Sequence, residues 1–366
     1  MVRDVDNKFR IRIILPNREH LVVSCRNSSR VEDIFHEACE ILDISDRELF
    51  GISVSSEESY LFLDPGEKLS KIDFELLTLT GRPRWPCGGL RRSLLHSFRS
   101  YPNPKPQPAI KSDEPVVYFR VRFYVPIHCL RDQSTKFAYY NQLRTNVLEY
   151  NLFCPVELYV QLAALGLQAD TGNAPNICTH SIKQGNESLP VYFNVSAYYP
   201  PKILAEVDLS ELVRMTMKWH LALHNMVSQV AIFWYIRIAS KKNSNFNMHL
   251  YNLPRLRQPR FAVWLGVTPD GLRIHQQEKD EWIRPTVPIR WSQVHHFEYK
   301  NRSLFVFLQN NQGVRHFPLR HSITASHLFS LICSMHFFQA TAELCAPHAA
   351  GLLDKIENGT YEERYL

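Results

Sequence analysis

The sequence predicts an α+β chain built from several lobes. Three observations predict it. The first eighty residues run in the order β-hairpin, helix, short strands; the middle third carries runs of helical length; and the last third is a series of short strands closed by one long apolar helix. A length of 366 residues suits two to three ordinary domains. A hydrophobic fraction of 45% with 21% charged residues is that of globular chains in which each lobe can bury a core, and is too apolar for global disorder.

In the first lobe, Phe9, Ile11 and Ile13 alternate on one side of a strand, Leu15-Pro16-Asn17 turns the chain, and Leu21-Val22-Val23 returns. Val31, Ile34, Phe35, Ala38, Ile41 and Leu42 then repeat with helical period. Ser28 and Ser29 are candidate N-caps, with Glu32 and Asp33 in the first turn where the helix dipole favours acids. Strands follow at 49–54 and 60–63. This order over residues 8–80 is that of a ubiquitin-like roll.

Composition changes sharply after that. Residues 81–111 carry Arg82, Arg84, Arg91, Arg92, Arg99, Lys105 and Lys111, no acid, and Pro83, Pro86, Pro102, Pro104, Pro106 and Pro108. Such a stretch reads as an extended basic linker, 81–113. Its seven cations exceed the net charge of the whole chain, +6, so the remainder is close to neutral. The basic excess is local to the linker, and it suits anionic lipid heads or acidic partner segments.

A second lobe is expected over 114–226. Residues 116–125 read as an entry strand or extended lead-in; 133–150, 156–168 and 209–225 have helical length and spacing. Pro155 sits where a first helical turn tolerates it, and Asp170-Thr171-Gly172-Asn173 stops the helix. A third lobe is expected over 227–345. Its seven strands are read at 230–238, 261–267, 272–275, 287–290, 294–299, 304–308 and 314–318. Thr268-Pro269-Asp270-Gly271 supplies a turn with Pro and Gly at useful positions. A helix over 324–344 closes the lobe, leaving 346–366 as a tail. Seven short strands and a closing helix form the pleckstrin-homology or phosphotyrosine-binding layout.

Four strings in this order resemble the FERM family. Cys154-Pro155 matches its C-P opening of a middle-lobe helix, and Leu162-Ala163-Ala164-Leu165-Gly166-Leu167-Gln168-Ala169-Asp170-Thr171-Gly172-Asn173 the end of that helix. Trp264-Leu265-Gly266-Val267 with Gly271-Leu272 resembles the third-lobe hairpin, and Arg290-Trp291-Ser292-Gln293-Val294 the step into the next strand. The resemblance covers about residues 9–345. It implies a cloverleaf of a ubiquitin-like roll, a helical bundle like acyl-CoA-binding protein, and a PH/PTB-like β-sandwich with a C-terminal helix. By this measure the chain is about one helix short between Tyr199 and Val230. Ile14-Leu15-Pro16-Asn17, Leu49-Phe50-Gly51-Ile52-Ser53-Val54 and Tyr361-Glu362-Glu363-Arg364-Tyr365 look most like the Expanded/Willin branch.

The resemblance implies a non-catalytic scaffold at the cell cortex, cytoplasmic and peripheral at the plasma membrane or cell junctions. It would bind cytoplasmic tails or adaptors, with Kibra- or Merlin-like partners upstream in Hippo signalling. The alternatives are a membrane–cytoskeleton linker and the regulatory front end of a FERM-bearing tyrosine phosphatase. A peptide would add as a strand to the edge formed by Val294, His295, His296, Phe297, Glu298 and Tyr299, against a helix wall of His327, Leu331 and Ser334. The linker's Arg82, Arg84, Arg91, Arg92, Arg99, Lys105 and Lys111 are the candidate lipid contacts, each contributing on the order of 1 kcal/mol at an anionic surface. Lys241, Lys242, Arg255, Arg257, Arg260, Arg273 and Arg284 are candidates to add to them. Solvated linker charge is the competing reading.

Other chemistries have weak support. Pro83-Arg84-Trp85-Pro86 fits a polyproline ligand, but so short a match is mostly chance. The eight cysteines include no CxxC pair, which suits reduced thiols used as small apolar residues. No cofactor, metal or nucleic acid is expected: His295-His296 and Cys333/His336 lack further ligands, and the basic stretch lacks a recognition motif. Walker, HExxH, GxSxG and kinase patterns are absent from the sequence. The charged start has no apolar leader, and the most apolar stretch, 226–239, is too short to span a bilayer.

Overall fold

The computed structural model describes residues 8–56, 59–74, 114–175, 192–241, 246–254, 261–278, 282–309 and 313–345. The basic linker with its seven cations, the Pro83–Pro86 motif, Lys242, Arg255, Arg257, Arg260 and the tail lie outside the described residues.

The first lobe is a five-stranded sheet with a helix on one face. Strands β1 (Lys8–Ile14) and β2 (His20–Arg26) form the expected hairpin. Helix α1 (Val31–Ile41) buries Val31, Ile34, Ala38 and Cys39. Strands β3 (Phe50–Ser56) and β4 (Ser59–Phe62) pair antiparallel. Alternation places Ile11, Ile13, Val23 and Cys25 inside. The helix start differs from the sequence expectation. Arg30, not a serine, is the N-cap, and its backbone N–H is held by the Asp33 carboxylate at 2.7 Å. Ser29 instead accepts from the Arg26 N–H and closes the preceding turn.

The fifth strand comes from the segment expected to lead into the second lobe. Strand β5 (Val116–Val121) inserts between β1 and β3, giving the order β2-β1-β5-β3-β4. It runs parallel to β1 and antiparallel to β3. Burial explains the placement: Val117, Phe119 and Val121 are fully buried, and Phe119 stacks on both Phe35 and Phe50. Sheet pairing here joins residues a hundred apart in sequence, which a local reading assigned to different lobes.

The second lobe is helical. It contains α2 (Gln133–Glu149), α3 (Val156–Thr171), the short α4 (Pro201–Glu206), α5 (Leu209–Ala222) and α6 (Ser228–Ala239). Asp132 caps α2 through the Thr135 N–H, and Asp208 caps α5 through Ser210 and Glu211. α3 packs on α5 and α6, and α2 on α6.

Helix α6 corrects the strand expected at 230–238. Val230, Ile232, Phe233, Tyr235 and Ile236 favour a strand by residue type, but the helix is stabilised by burying Ala231, Ile232, Tyr235, Ile236 and Ala239 against its neighbours, where tertiary packing overrides local preference. With α6 in the bundle, the apparent shortage of one helix after Tyr199 disappears.

Among the described residues the third lobe still has seven strands, because β6 (His249–Leu253) replaces the misread one. A four-stranded sheet joins β6, β7 (Phe261–Thr268), β8 (Gly271–Glu278) and β9 (Arg284–Arg290) in sequence order. A three-stranded sheet joins β10 (Val294–Lys300), β11 (Ser303–Leu308) and β12 (Val314–Pro318). Helix α7 (Ser322–Cys345) closes the lobe and buries Ala325, Leu328, Leu331, Ile332 and Met335. The expected turn forms at Gly271, where a Cβ would stand 2.1 Å from the Ile289 carbonyl oxygen; only glycine fits the β8–β9 approach.

The three lobes dock through polar contacts, several of them buried or half-buried. Lobe one meets lobe three where Tyr251 donates to the Tyr60 carbonyl at 3.0 Å and His249 Nε2 bonds the Arg122 carbonyl at 3.0 Å. Lobe two meets lobe three where Asn146 Nδ2 donates to the Phe246 carbonyl at 2.7 Å and Tyr150 to that of Met248 at 3.1 Å. At the same joint Trp282 Nε1 donates to Glu206 Oε2 at 2.8 Å. The Trp282 ring lies 6.0 Å from Tyr159, with the Lys202 ammonium 5.2 Å above it. Lobe one meets lobe two through an Arg131–Asp46 ion pair and the Thr145 hydroxyl on the Pro16 carbonyl at 3.0 Å.

Candidate functional site

Strand β10 pairs with β11 on one side and is the edge of its sheet. Val294 is buried, Phe297 half-buried, and His295, His296, Glu298, Tyr299 and Lys300 are exposed. A strand edge left without a partner strand is a template for pairing with another chain. A register shift between Val294 and His296 bends the strand, as β-bulges do at sheet edges. The imidazoles of His295 and His296 meet there, Nδ1 to Nδ1 at 2.7 Å. His296 also stacks on Phe307 at 4.1 Å and reaches Glu298 at 3.3 Å.

The helix wall beside this edge is not the one expected from the sequence. Tyr299 meets Phe329 with ring centroids 4.9 Å apart, and Phe297 meets His336 edge-on at 5.9 Å. Trp291 completes the cluster, 5.5 Å from His336 and 6.1 Å from Phe297. The three expected wall residues face elsewhere. His327 Nδ1 bonds the Phe62 carbonyl of β4 at 2.8 Å, the Ser334 hydroxyl accepts from Arg122 at 3.2 Å, and Leu331 is buried. Helical geometry gives the reason. Residues 327, 331 and 334 share one face of α7, whereas 329 and 336 lie about half a turn round it. Apolar residues recur around most of α7, so no single stripe in its sequence says which side borders β10. The aromatic residues Trp291, Phe329 and His336 were the available signal, and periodicity does not weigh residue type.

Two of the additional cations are also committed elsewhere. Arg273 pairs with Asp270 at 3.1 Å with its side chain 12% exposed, and the Arg284 guanidinium lies 4.4 Å over the exposed Phe153 ring. Lys241 is exposed at the end of α6. Cys25, Cys39 and Cys154 are buried, and burial pushes their thiols up to about 11, 12 and 12, away from nucleophile chemistry. Among the described residues, no group of three or more His, Cys, Asp or Glu is placed to hold a metal, and no helix is long and apolar enough to cross a membrane.

Two buried histidines adjoin this lobe's sheet. His249, on β6, packs against the Phe62 and Tyr124 rings, and burial depresses its pKa to about 3. His275, on β8, is 1% exposed and neither ring nitrogen has a hydrogen-bond partner. Burial and then the nearby Arg273 charge lower its pKa to about 4.

Comparison with known proteins decides the family. The FERM N-terminal domain matches residues 13–74, the FERM central domain 126–251, and the FERM C-terminal PH-like domain 258–345. The chain belongs to the FERM family. The central match extends beyond α6, in keeping with that helix lying in the second lobe. Human tyrosine-protein phosphatase non-receptor type 13 is 22% identical over 343 residues, covering 92% of this FERM chain and 12% of the phosphatase. Protein expanded of Drosophila melanogaster is 34% identical over 155 residues, 40% of this chain and 9% of that protein. A crystal structure of the FERM and C-terminal domain complex of Drosophila Merlin superposes with a TM-score of 0.64 at 14% identity, covering 92% of this chain and 97% of that one. The FERM lobes thus span 9% to 21% of curated relatives such as expanded, the phosphatase and mouse FERM and PDZ domain-containing protein 2.

Proposed function

We propose that this FERM chain is a non-catalytic cortical scaffold that captures peptide segments of partner proteins by strand addition to β10. The observation that carries this reading is a strand edge with no partner strand among the described residues, walled by Phe329, His336 and Trp291. Main-chain hydrogen bonds along 294–300 supply affinity, and the aromatic recesses beside Phe297 and Tyr299 select side chains. Similarity to expanded and the Merlin-like fold favour a place upstream in Hippo signalling with Kibra- or Merlin-like partners. The match along nearly the whole chain to a tyrosine phosphatase supports the second reading, a regulatory front end, and a longer transcript encoding a catalytic domain would establish it.

Peptides selected from a random phage-displayed library on the wild-type chain test the edge. Tyr299→Ala combined with Phe329→Ala is expected to weaken them by about tenfold or more, a loss of about 1.4 kcal/mol. Proline at Glu298 is expected to abolish capture, with circular dichroism as the folding control. Full binding by a folded variant would reject the edge.

Anionic inner-leaflet lipid is the second proposed partner, through Arg82, Arg84, Arg91, Arg92, Arg99, Lys105 and Lys111. Replacing Arg91, Arg92 and Arg99 with alanine removes about 1 kcal/mol per cation at the surface. Sedimentation with phosphoinositide vesicles is expected to fall by about tenfold or more, less so at high salt. Unchanged sedimentation would remove the linker from the account.

A further inference from the structure

Outside the basic linker the chain is close to neutral in sum, yet the charge of the third lobe is not evenly spread. Between 283 and 321 stand Arg284, Arg290, Lys300, Arg302, Arg315 and Arg320, and the single acid is Glu298. Glu298 and Lys300 both lie on the candidate edge, β10.

Alternation along β10 sorts its side chains. Phe297 and Tyr299 turn toward His336 and Phe329 of α7, so His296, Glu298 and Lys300 point to the opposite, solvent face. The two ends of that face differ in charge. At the start of the strand, the hydrogen bond between the Nδ1 atoms of His295 and His296 requires one of them to be an unprotonated acceptor. While that bond holds, the pair carries at most one positive charge, and Glu298 stands 3.3 Å from His296. At the far end Lys300 and Arg302 are both exposed, and neither makes an ion pair among the described residues. The Leu319 N–H donates to the Arg302 carbonyl at 2.7 Å and holds the turn that carries Arg302.

A strand added to β10 meets these side chains in register. The strand pairs of the third lobe are antiparallel, and antiparallel pairing is the more stable per residue. In that direction successive guest residues lie opposite Lys300, Tyr299, Glu298 and Phe297, alternately on the solvent face and toward α7. We propose that the segment captured by β10 carries an aspartate or glutamate opposite Lys300, then an apolar residue, a neutral or basic residue opposite Glu298, and a second apolar residue. This rests on the strand-addition reading and adds the sequence class of the partner. The carboxylate meets Lys300 and the neighbouring Arg302. An acid two positions later would face Glu298, and like charges directly opposite are unfavourable.

The test follows the β10 amides of the isotope-labelled full chain by NMR, with acetyl-Ser-Thr-Glu-Phe-Thr-Leu-Thr-Ser-amide as the probe. Replacing its glutamate with glutamine is expected to weaken binding about threefold at low salt. The difference should vanish at about 1 M salt, where the screening length is about 3 Å. Moving the glutamate two places, as acetyl-Ser-Thr-Thr-Phe-Glu-Leu-Thr-Ser-amide, should weaken binding further. Lys300→Gln combined with Arg302→Gln, both at exposed positions, should make the glutamate and glutamine peptides bind alike. Equal affinity of those two peptides for the wild-type chain, with β10 amides shifting for both, would overturn the acid preference and leave strand addition standing. A preference retained by the double variant would overturn it too, because the acid would then be read elsewhere. β10 amides that stay unmoved by millimolar concentrations of every peptide would overturn the strand reading and this inference together.

Discussion

Replacing Trp282 with alanine is expected to lower the unfolding free energy by about 3–5 kcal/mol, the usual cost of deleting a buried tryptophan. The side chain is 9% exposed and reaches from the third lobe into the second. Its loss removes the packing on Tyr159 and Lys202 and leaves Glu206 without its indole donor. The neighbouring backbone links, Phe153 N–H to the Ile283 carbonyl at 2.9 Å and Ile283 N–H to that of Asn151 at 3.0 Å, hold the same joint and depend on that packing. Trp282→Phe should restore most of the apolar contact but not the hydrogen bond, costing about 1–2 kcal/mol. Urea titration measures both. If Trp282→Ala also separates the lobes, its transition should broaden or split, because two-state behaviour requires the lobes to unfold together. An alanine variant within 1 kcal/mol of wild type, on the order of ordinary surface substitutions, would show that the joint bears little of the stability.

Acid should destabilise the fold well before its carboxylates are protonated. His249 and His275 are neutral in the native state, with pKa values of about 3 and 4, whereas an unfolded histidine titrates near about 6.5. Below that value the unfolded chain takes up protons that the native chain does not. Their contribution is therefore complete above about pH 6.5 and falls as pH drops toward the native pKa values. Between about pH 7.5 and 5 the expected loss is about 2 kcal/mol for each histidine and about 4 kcal/mol for both. His275→Gln and His249→Gln should each flatten the pH dependence of the urea midpoint in that window, whatever they do to stability at pH 7.5. A wild-type midpoint that stays constant from pH 7.5 to 5 would contradict the burial of these rings as neutral groups.

Much of the architecture was readable where local pattern and tertiary placement agree. The hairpin and helix of the first lobe announce themselves through Ile11, Ile13 and the Val31–Ile34–Ala38 stripe, and α2, α3 and α5 through helical spacing. β5 was visible as a strand, yet nothing within Val116–Val121 states that its partners are β1 and β3. α6 was misread because a run rich in β-branched and aromatic residues, 230–236, suits a buried helix as well as a strand. β6 escaped notice because five residues buried on both faces show no alternation. The strand expected at 294–299 forms as β10, but the α7 residues beside it are not the ones expected. An apolar helix packed on several elements carries no record of which face meets which neighbour, and His327 and Ser334 proved to be joints to the first lobe.

Hydrogen–deuterium exchange of the full chain, with and without a saturating library-selected peptide, tests the scaffold reading most directly. The account predicts new protection of the backbone amides of β10, Val294–Lys300, with smaller slowing near Phe329 and His336 and no change on the β4 side of α7. Protection confined to other elements, with β10 exchanging as fast as in the free chain, would contradict it.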